Sequence, residues 1–185
     1  MARTKPDVDR EQKRAEILHV ATQLFLEEGF EATSIGRIAE KTRVAPNTLY
    51  WYFKDKDALL LAVLDALVRD GLGEHEKRKK SSLEAQLLWL FGVLSSAQRV
   101  ITTVHARMAS VESVRVWHDG FHQLVEATIE QHLRSRSLAA GHEAHAARMT
   151  MFVIEGLLAH PSPKAEQREL VKWLVSLAQP SAPPV

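Results

Sequence analysis

Apolar residues recur along almost the whole chain with the spacing of amphipathic helices. Two stripes follow the i, i+3, i+4, i+7 pattern that lines one face of a helix, and they comprise Ile17, Val20, Ala21, Leu24 and Phe25, then Leu60, Val63, Leu64, Leu67 and Val68. Gly29 ends the first helix, and Asp55 can cap the second. The alternating period of a half-buried strand is absent from residue 83 onward. The pattern therefore predicts an all-α protein.

The C-terminal part of the pattern predicts five further helices, over residues 83–97, 99–109, 111–137, 143–160 and 164–179, and Ser81 with Glu84 forms a capping box before them. The last two carry apolar residues around most of their circumference. A helix of that kind must be buried on two sides, and in a chain of 185 residues we expect one side to be a subunit interface. These two helices predict a homodimer joined by a four-helix bundle, in which Gly156 permits close approach.

Residues 33–57 predict two short helices joined by a tight turn. Thr33 or Ser34 can cap the first, and Pro46 fits the first turn of the second because that position needs no amide hydrogen. Leu49 and Phe53, four residues apart, point inward. Short polar groups and rings then remain on the outer face, in Pro46, Asn47, Thr48 and Trp51, where they suit base edges and phosphates. This layout is that of a helix-turn-helix DNA reader.

In the same residues the chain resembles the TetR family of transcriptional regulators, because Ile38-Ala39, Val44, the run from Thr48 to Phe53, Lys56 and Ala58-Leu59-Leu60 follow that family's order and spacing. The resemblance implies that Asn47, Thr48 and Trp51 face the major groove, while Tyr50, Tyr52 and Lys56 meet the backbone. The predicted DNA-binding residues are Ser34, Arg37, Arg43, Pro46, Asn47, Thr48, Tyr50, Trp51, Tyr52 and Lys56. Arg43 stands where the family usually has glycine, and Ala45 replaces the usual capping residue, which puts the turn geometry and the cap in question.

The predicted domains are a helix-turn-helix DNA-binding domain over residues 1–65, a helical ligand-binding and dimerisation domain over 66–179, and a disordered tail over 180–185.

The net charge of +1 argues against indiscriminate nucleic-acid binding, although basic residues gather at the N-terminus and around the helix-turn-helix. Cysteine is absent, no apolar stretch reaches about 18 residues, and no signal peptide is recognised, so the expected compartment is the cytoplasm.

Nine histidines raise a metal or catalytic interpretation. His118 and His122 are four apart, and His142 and His145 are three apart, but the sequence offers no third ligand for either pair. No nucleophile, phosphate-loop or nucleotide motif is found. We therefore expect no enzyme, no cofactor and no metal, and the histidines are interpreted as surface or core-edge residues.

Large side chains of the middle helices are candidates to line an apolar effector pocket, although ordinary core packing explains any one of them: Trp89, Met108, Trp117, Phe121 and Phe152. The interpretation is a homodimeric repressor that a small molecule releases from a palindromic operator of double-stranded DNA. Two alternatives stay open at this point. One is a helical enzyme or metal-binding protein that uses the His118/His122 region, and the other is an architectural DNA-binding protein without an effector.

Overall fold

A computed structural model describes residues 5–160 and 162–178. They form nine α-helices and no strand, so the all-α prediction is confirmed; the helices are α1 (Lys5–Glu27), α2 (Ile35–Lys41), α3 (Pro46–Tyr52), α4 (Lys56–Arg78), α5 (Leu83–Ser96), α6 (Gln98–Met108), α7 (Glu112–Ser135), α8 (Glu143–Ala159) and α9 (Lys164–Leu177). Within these described residues, no single helix is both long and apolar enough to cross a membrane. The tail predicted over residues 180–185 lies outside the described part of the chain.

The helices pack as two compact units. The first holds the described residues up to Gly73 together with Ala97–Val114, so α6 joins α1, α2, α3 and most of α4. Its core is made of fully buried apolar side chains, including Ile17, Phe25, Ile38, Leu49, Leu60 and Val100. The predicted DNA-binding domain therefore lies within a larger packing unit. The sequence did not indicate that α6 belongs to this unit, because an amphipathic stripe shows that a helix is buried on one face but does not identify the helix that it packs against.

The second unit holds Glu74–Ser96 and the residues from Arg115 onward. In it α5 packs against both α8 and α9. The buried side chains come from all of its helices and include Leu87, Phe91, Leu133, Met151, Ile154 and Val171. Among the described residues, large apolar side chains of α8 and α9 away from this core are exposed to solvent.

The ends of three helices show how the chain sets their limits. The first helix starts at Lys5, and α4 continues through Gly71 and Gly73 to Arg78. The predicted capping box of Ser81 and Glu84 is wrong. Ser82 caps α5 instead, because the Oγ of Ser82 accepts a hydrogen bond from the amide of Ala85 at 3.2 Å. The backbone oxygen of Ser81 instead accepts a bond of 3.0 Å from the amide side chain of buried Gln86.

Candidate nucleic-acid interface

The first helix of the motif, α2, is fixed at both ends. At its N-terminus Ser34 has extended backbone angles, and its Oγ accepts a hydrogen bond from the amide of Arg37 at 3.1 Å. At its C-terminus the buried hydroxyl of Thr42 donates to the backbone oxygen of Ile38 at 2.8 Å. Ile38 and Ala39 face the core. Ser34 therefore acts as a helix cap, which leaves its predicted DNA contact as a prediction.

The turn keeps the backbone shape that glycine usually provides, although an arginine occupies it. Arg43 has a φ of +54°, in the left-handed region that costs a residue with a Cβ about 1–2 kcal/mol. The backbone amide of Val44 donates to Ala39 at 3.0 Å, which closes the turn. Ala45 has no side-chain capping bond, as its identity predicts. The turn geometry is thus maintained by backbone hydrogen bonds at a cost in strain, and Arg43 is exposed beside it.

The second helix, α3, separates an inner from an outer face. Leu49 is fully buried and Phe53, its C-terminal cap residue, is nearly so, which confirms their inward orientation. The side chains on the outer face are polar or aromatic, and the exposed members are Pro46, Asn47, Thr48, Tyr50 and Trp51. Tyr52 is half-buried. The predicted reading residues therefore share an exposed surface, and this surface includes Trp51 with 60% of its area open to solvent.

Two arginines of α1 contact the aromatic residues of the motif, and spacing along the sequence did not predict this. The guanidinium of Arg10 lies 4.2 Å from the centre of the Trp51 ring, and that of Arg14 lies 4.9 Å from the ring of Phe53. Tyr52 meets Trp51 edge to face, with ring centres 5.0 Å apart. The basic N-terminal cluster seen in the sequence thus reaches the recognition helix itself.

Lys56, the first residue of α4, lies over an aromatic ring. Its Nζ is 4.0 Å from the centre of the Phe30 ring. Burial lowers the pKa of Lys56 below its usual value, and the nearby Arg107 adds to this, while Glu31 and Asp57 oppose it. Asp55 caps the helix from the preceding turn, with its Oδ1 accepting from the amide of Ala58 at 2.7 Å. The predicted phosphate contact of Lys56 remains a prediction.

A second cation holds the same end of α4. Arg107, near the end of α6, donates from Nε and Nη2 to the two carboxylate oxygens of Asp57, both at 2.5 Å. Its guanidinium also lies 5.0 Å from the Phe30 ring and 3.6 Å from a Glu31 oxygen. The hydrogen bond to Asp57 is the main cause that raises the pKa of Arg107. This two-point pairing fixes the first turn of α4 to α6.

Arg37, another predicted DNA contact, has a partner within the protein. Its Nη2 lies 2.5 Å from a carboxylate oxygen of Glu28, while about half of the side chain is exposed. An exposed pair of this kind contributes about 0–1 kcal/mol, so a phosphate could compete for the guanidinium.

The predicted effector residues fall into different places. Trp117 and Phe121 stack with ring centres 5.5 Å apart and planes within 6° of parallel. The Trp89 ring is stacked by His75 at 6.2 Å and covered by the guanidinium of Arg78 at 5.2 Å. All three rings are half-buried in the second unit, whereas Met108 belongs to the first.

Phe152 lies on the outer face of α8, with 62% of its area exposed. It belongs to a group of large apolar side chains that α8 and α9 leave open to solvent, comprising Met149, Phe152, Leu170, Trp173 and Leu177. Their spacing of three or four residues places those of each helix on one face. Large apolar side chains grouped on an exposed helix face mark an interaction site more often than an effector pocket. We refer to these five residues as the outer apolar face.

Comparison with known proteins agrees with this geometry. Residues 17–63 match the family model described as bacterial regulatory proteins, tetR family. The transcriptional regulator AcrR of Shigella flexneri is 38% identical over 76 residues, covering 41% of this chain and 34% of that protein. The transcriptional repressor KstR2 of Rhodococcus jostii is 25% identical over 114 residues, covering 61% and 52%. The chain thus matches between a third and about half of the length of these relatives.

The similarity in fold extends further than the similarity in sequence. The crystal structure of a TetR transcription regulator from Haloarcula marismortui has a TM-score of 0.70 at 17% identity, and the match covers 91% of this chain and 95% of that one. The molecule is thus a helix-turn-helix protein with a C-terminal helical domain. Its N-terminal motif is that of the tetR family model, and the relatives and the fold agree with this match.

Proposed function

We propose that the protein is a sequence-specific, DNA-binding transcriptional regulator that acts as a repressor. The observation that carries the proposal is the outer face of α3, where Asn47, Thr48 and Trp51 are exposed on a helix whose opposite side is locked into the core. The N-terminal part of such a helix is the part that reads base edges in the major groove. The basic residues Arg10 and Arg43 lie beside it and would face phosphates.

The proposed active form is a homodimer bound to a palindromic operator in the cytoplasm. Two recognition helices related by a twofold axis would read two half-sites, and the outer apolar face of α8 and α9 would join the subunits. An effector that prefers the DNA-incompetent spacing of the readers would release the operator. A nearly complete release requires about 5.5 kcal/mol of differential affinity.

Selection of bound DNA from a random pool tests the proposal, because a dimeric reader selects a palindrome. We expect Asn47→Ala and Thr48→Ala to change the preferred bases, each with a loss of about 1–3 kcal/mol of discrimination, because they remove a base contact. In contrast, Lys56→Ala should weaken binding to all sequences and lower the salt slope by about one unit. Wild-type base preference in both α3 variants would contradict the assignment of the reading face.

The effector is proposed to be a partly apolar small molecule that binds among the aromatic side chains of the second unit, near Trp89, Trp117 and Phe121. We expect such a ligand to shift the emission of Trp89 and Trp117 in a variant that carries Trp51→Phe and Trp173→Phe. In wild-type protein the same ligand should lower operator affinity. If no apolar metabolite in a broad screen changes both signals, the protein fits the architectural alternative better.

A further inference from the structure

Two histidines and a carboxylate meet in the second unit. His118 and His122 lie one turn apart on α7, and their ring centres are 4.1 Å apart. Glu155 approaches them from α8, with its Oε1 3.0 Å from the Nε2 of His122 and 4.0 Å from the Nε2 of His118. Sequence spacing indicated the two histidines but no third ligand. The packing of α7 against α8 supplies the third ligand, because 33 residues along the chain separate Glu155 from His122.

Glu155 lies at a distance from each histidine that a shared ion could bridge. Zn–N and Zn–O bonds are about 2.0–2.2 Å, so two ligand atoms of a tetrahedral site lie roughly 3.3–3.5 Å apart. The two separations from Glu155, 3.0 Å and 4.0 Å, lie on either side of that value. A shift of the Glu155 carboxylate by less than about 1 Å, away from His122 and towards His118, would bring both separations close to that value. The side chains of His118, His122 and Glu155 are only 14%, 20% and 29% exposed, so they are already held by their neighbours.

A carboxylate lies near the second ring nitrogen of His118, although beyond hydrogen-bonding distance. Metal-binding histidines commonly turn their second ring nitrogen towards a carboxylate, which orients the ring. The Nδ1 of His118 lies 3.6 Å from an oxygen of Asp119, and Asp119 is itself held by Arg115 at 3.0 Å. The Nε2 of His118 is then the nitrogen that faces Glu155.

We propose that His118, His122 and Glu155 form a binding site for a divalent transition-metal ion of the zinc class. Two imidazoles and one carboxylate are the ligand set of open zinc sites, in which water or another ligand takes the fourth position. Imidazole ligands favour zinc, copper, cobalt and nickel over magnesium and calcium, which prefer sites made entirely of oxygen. The proposal stands independently of DNA binding and of the organic effector proposed above.

The opposing interpretation is that the Glu155 carboxylate simply pairs with His122, with no ion. Cobalt distinguishes the two interpretations, because Co²⁺ in a low-coordinate site with nitrogen ligands gives visible absorption that a histidine–glutamate pair cannot give. The test uses metal-stripped, full-length protein and titrates it with CoCl₂, then with ZnCl₂ as a competitor.

We expect one equivalent of Co²⁺ per chain, visible absorption bands, and displacement by Zn²⁺. The variants His122→Gln and Glu155→Gln should each weaken binding by at least about tenfold, since even loss of a supporting contact to a ligand costs about 10–100-fold. The matched control is the double variant His142→Gln/His145→Gln, which removes a second histidine pair whose rings lie 6.4 Å apart and are exposed. It should bind Co²⁺ like the wild type.

The proposal is overturned if the wild type shows no bands with excess Co²⁺, or if the three variants bind equally well. Thermal unfolding without metal guards against a trivial loss through misfolding. A Glu155→Gln variant that melts like the metal-free wild type and has lost the bands supports the site. If Glu155→Gln fails to fold, the same comparison is made with His122→Gln.

Discussion

A double variant carrying Phe152→Glu and Trp173→Glu is expected to be monomeric and to lose specific operator binding. Both side chains belong to the outer apolar face and are more than 60% exposed in the protomer. In a symmetric dimer each substitution occurs twice, and each would bury an unpaired charge. Since a single hot-spot side chain is worth about 2 kcal/mol or more, the dimer should weaken by at least about a thousandfold.

Sedimentation equilibrium at micromolar concentration measures this effect directly. The control is Arg168→Glu, which also adds negative charge to α9. Arg168 is exposed and lies on nearly the opposite side of the helix from Trp173. It should remain dimeric, and the glutamate double variant should keep its helical circular dichroism. A wild-type protein that sediments as a monomer, or a double variant that sediments as a dimer, would remove α8 and α9 from the interface.

The choice of Trp173 rather than its neighbour depends on the structure. From sequence alone Leu174 looks equally suitable, because apolar residues surround most of α9. In the protomer, however, Leu174 is only 9% exposed and Val171 only 1%, so this side of the helix packs inward. Leu174→Glu is therefore expected to unfold the protomer. The sequence pattern predicted that α9 is buried on two faces. Only the packing of α9 against α5 shows which face lies inside the protomer and which face is exposed.

Local features of the DNA-binding motif were predictable because the interactions behind them span few residues. The Ser34 cap, the Pro46 start and the inward side chains Leu49 and Phe53 follow from helix periodicity and capping chemistry. The contacts that join distant segments were not predictable in this way. Arg10 on Trp51 is the clearest example, since 41 positions separate the two residues and no local rule relates them.

The candidate metal site shows the same limit. Helix periodicity places His118 and His122 on one face of α7, and that much can be read from their spacing. Which acidic residue faces them depends on how α7 and α8 pack, and the sequence contains 23 acidic residues. The sequence shows no third ligand near the two histidines. This absence is weak evidence against a metal site, because the third ligand can come from another helix.

The pairing of Arg107 with Asp57 should make the first turn of α4 depend on α6. Arg107→Gln is expected to lower the free energy of unfolding by about 2 kcal/mol, because it leaves a mostly buried carboxylate without its two-point partner. We place the effect below the 3–5 kcal/mol of a fully buried pair, since the two side chains are 27% and 23% exposed. For a chain of this size the melting temperature should fall by about 4–8 °C.

A double-mutant cycle with Asp57→Asn distinguishes the pairing from general loss of packing. If the two residues act on each other, the double variant should be about 1–2 kcal/mol more stable than the sum of the single losses predicts. Arg134→Gln is the control, because its bond to Glu130 joins neighbouring turns of an exposed helix surface and is worth at most about 0.5 kcal/mol. Strict additivity in the cycle would show that Arg107 and Asp57 stabilise α4 separately. Coupling would show that the pair itself anchors the helix that begins with Lys56 to α6.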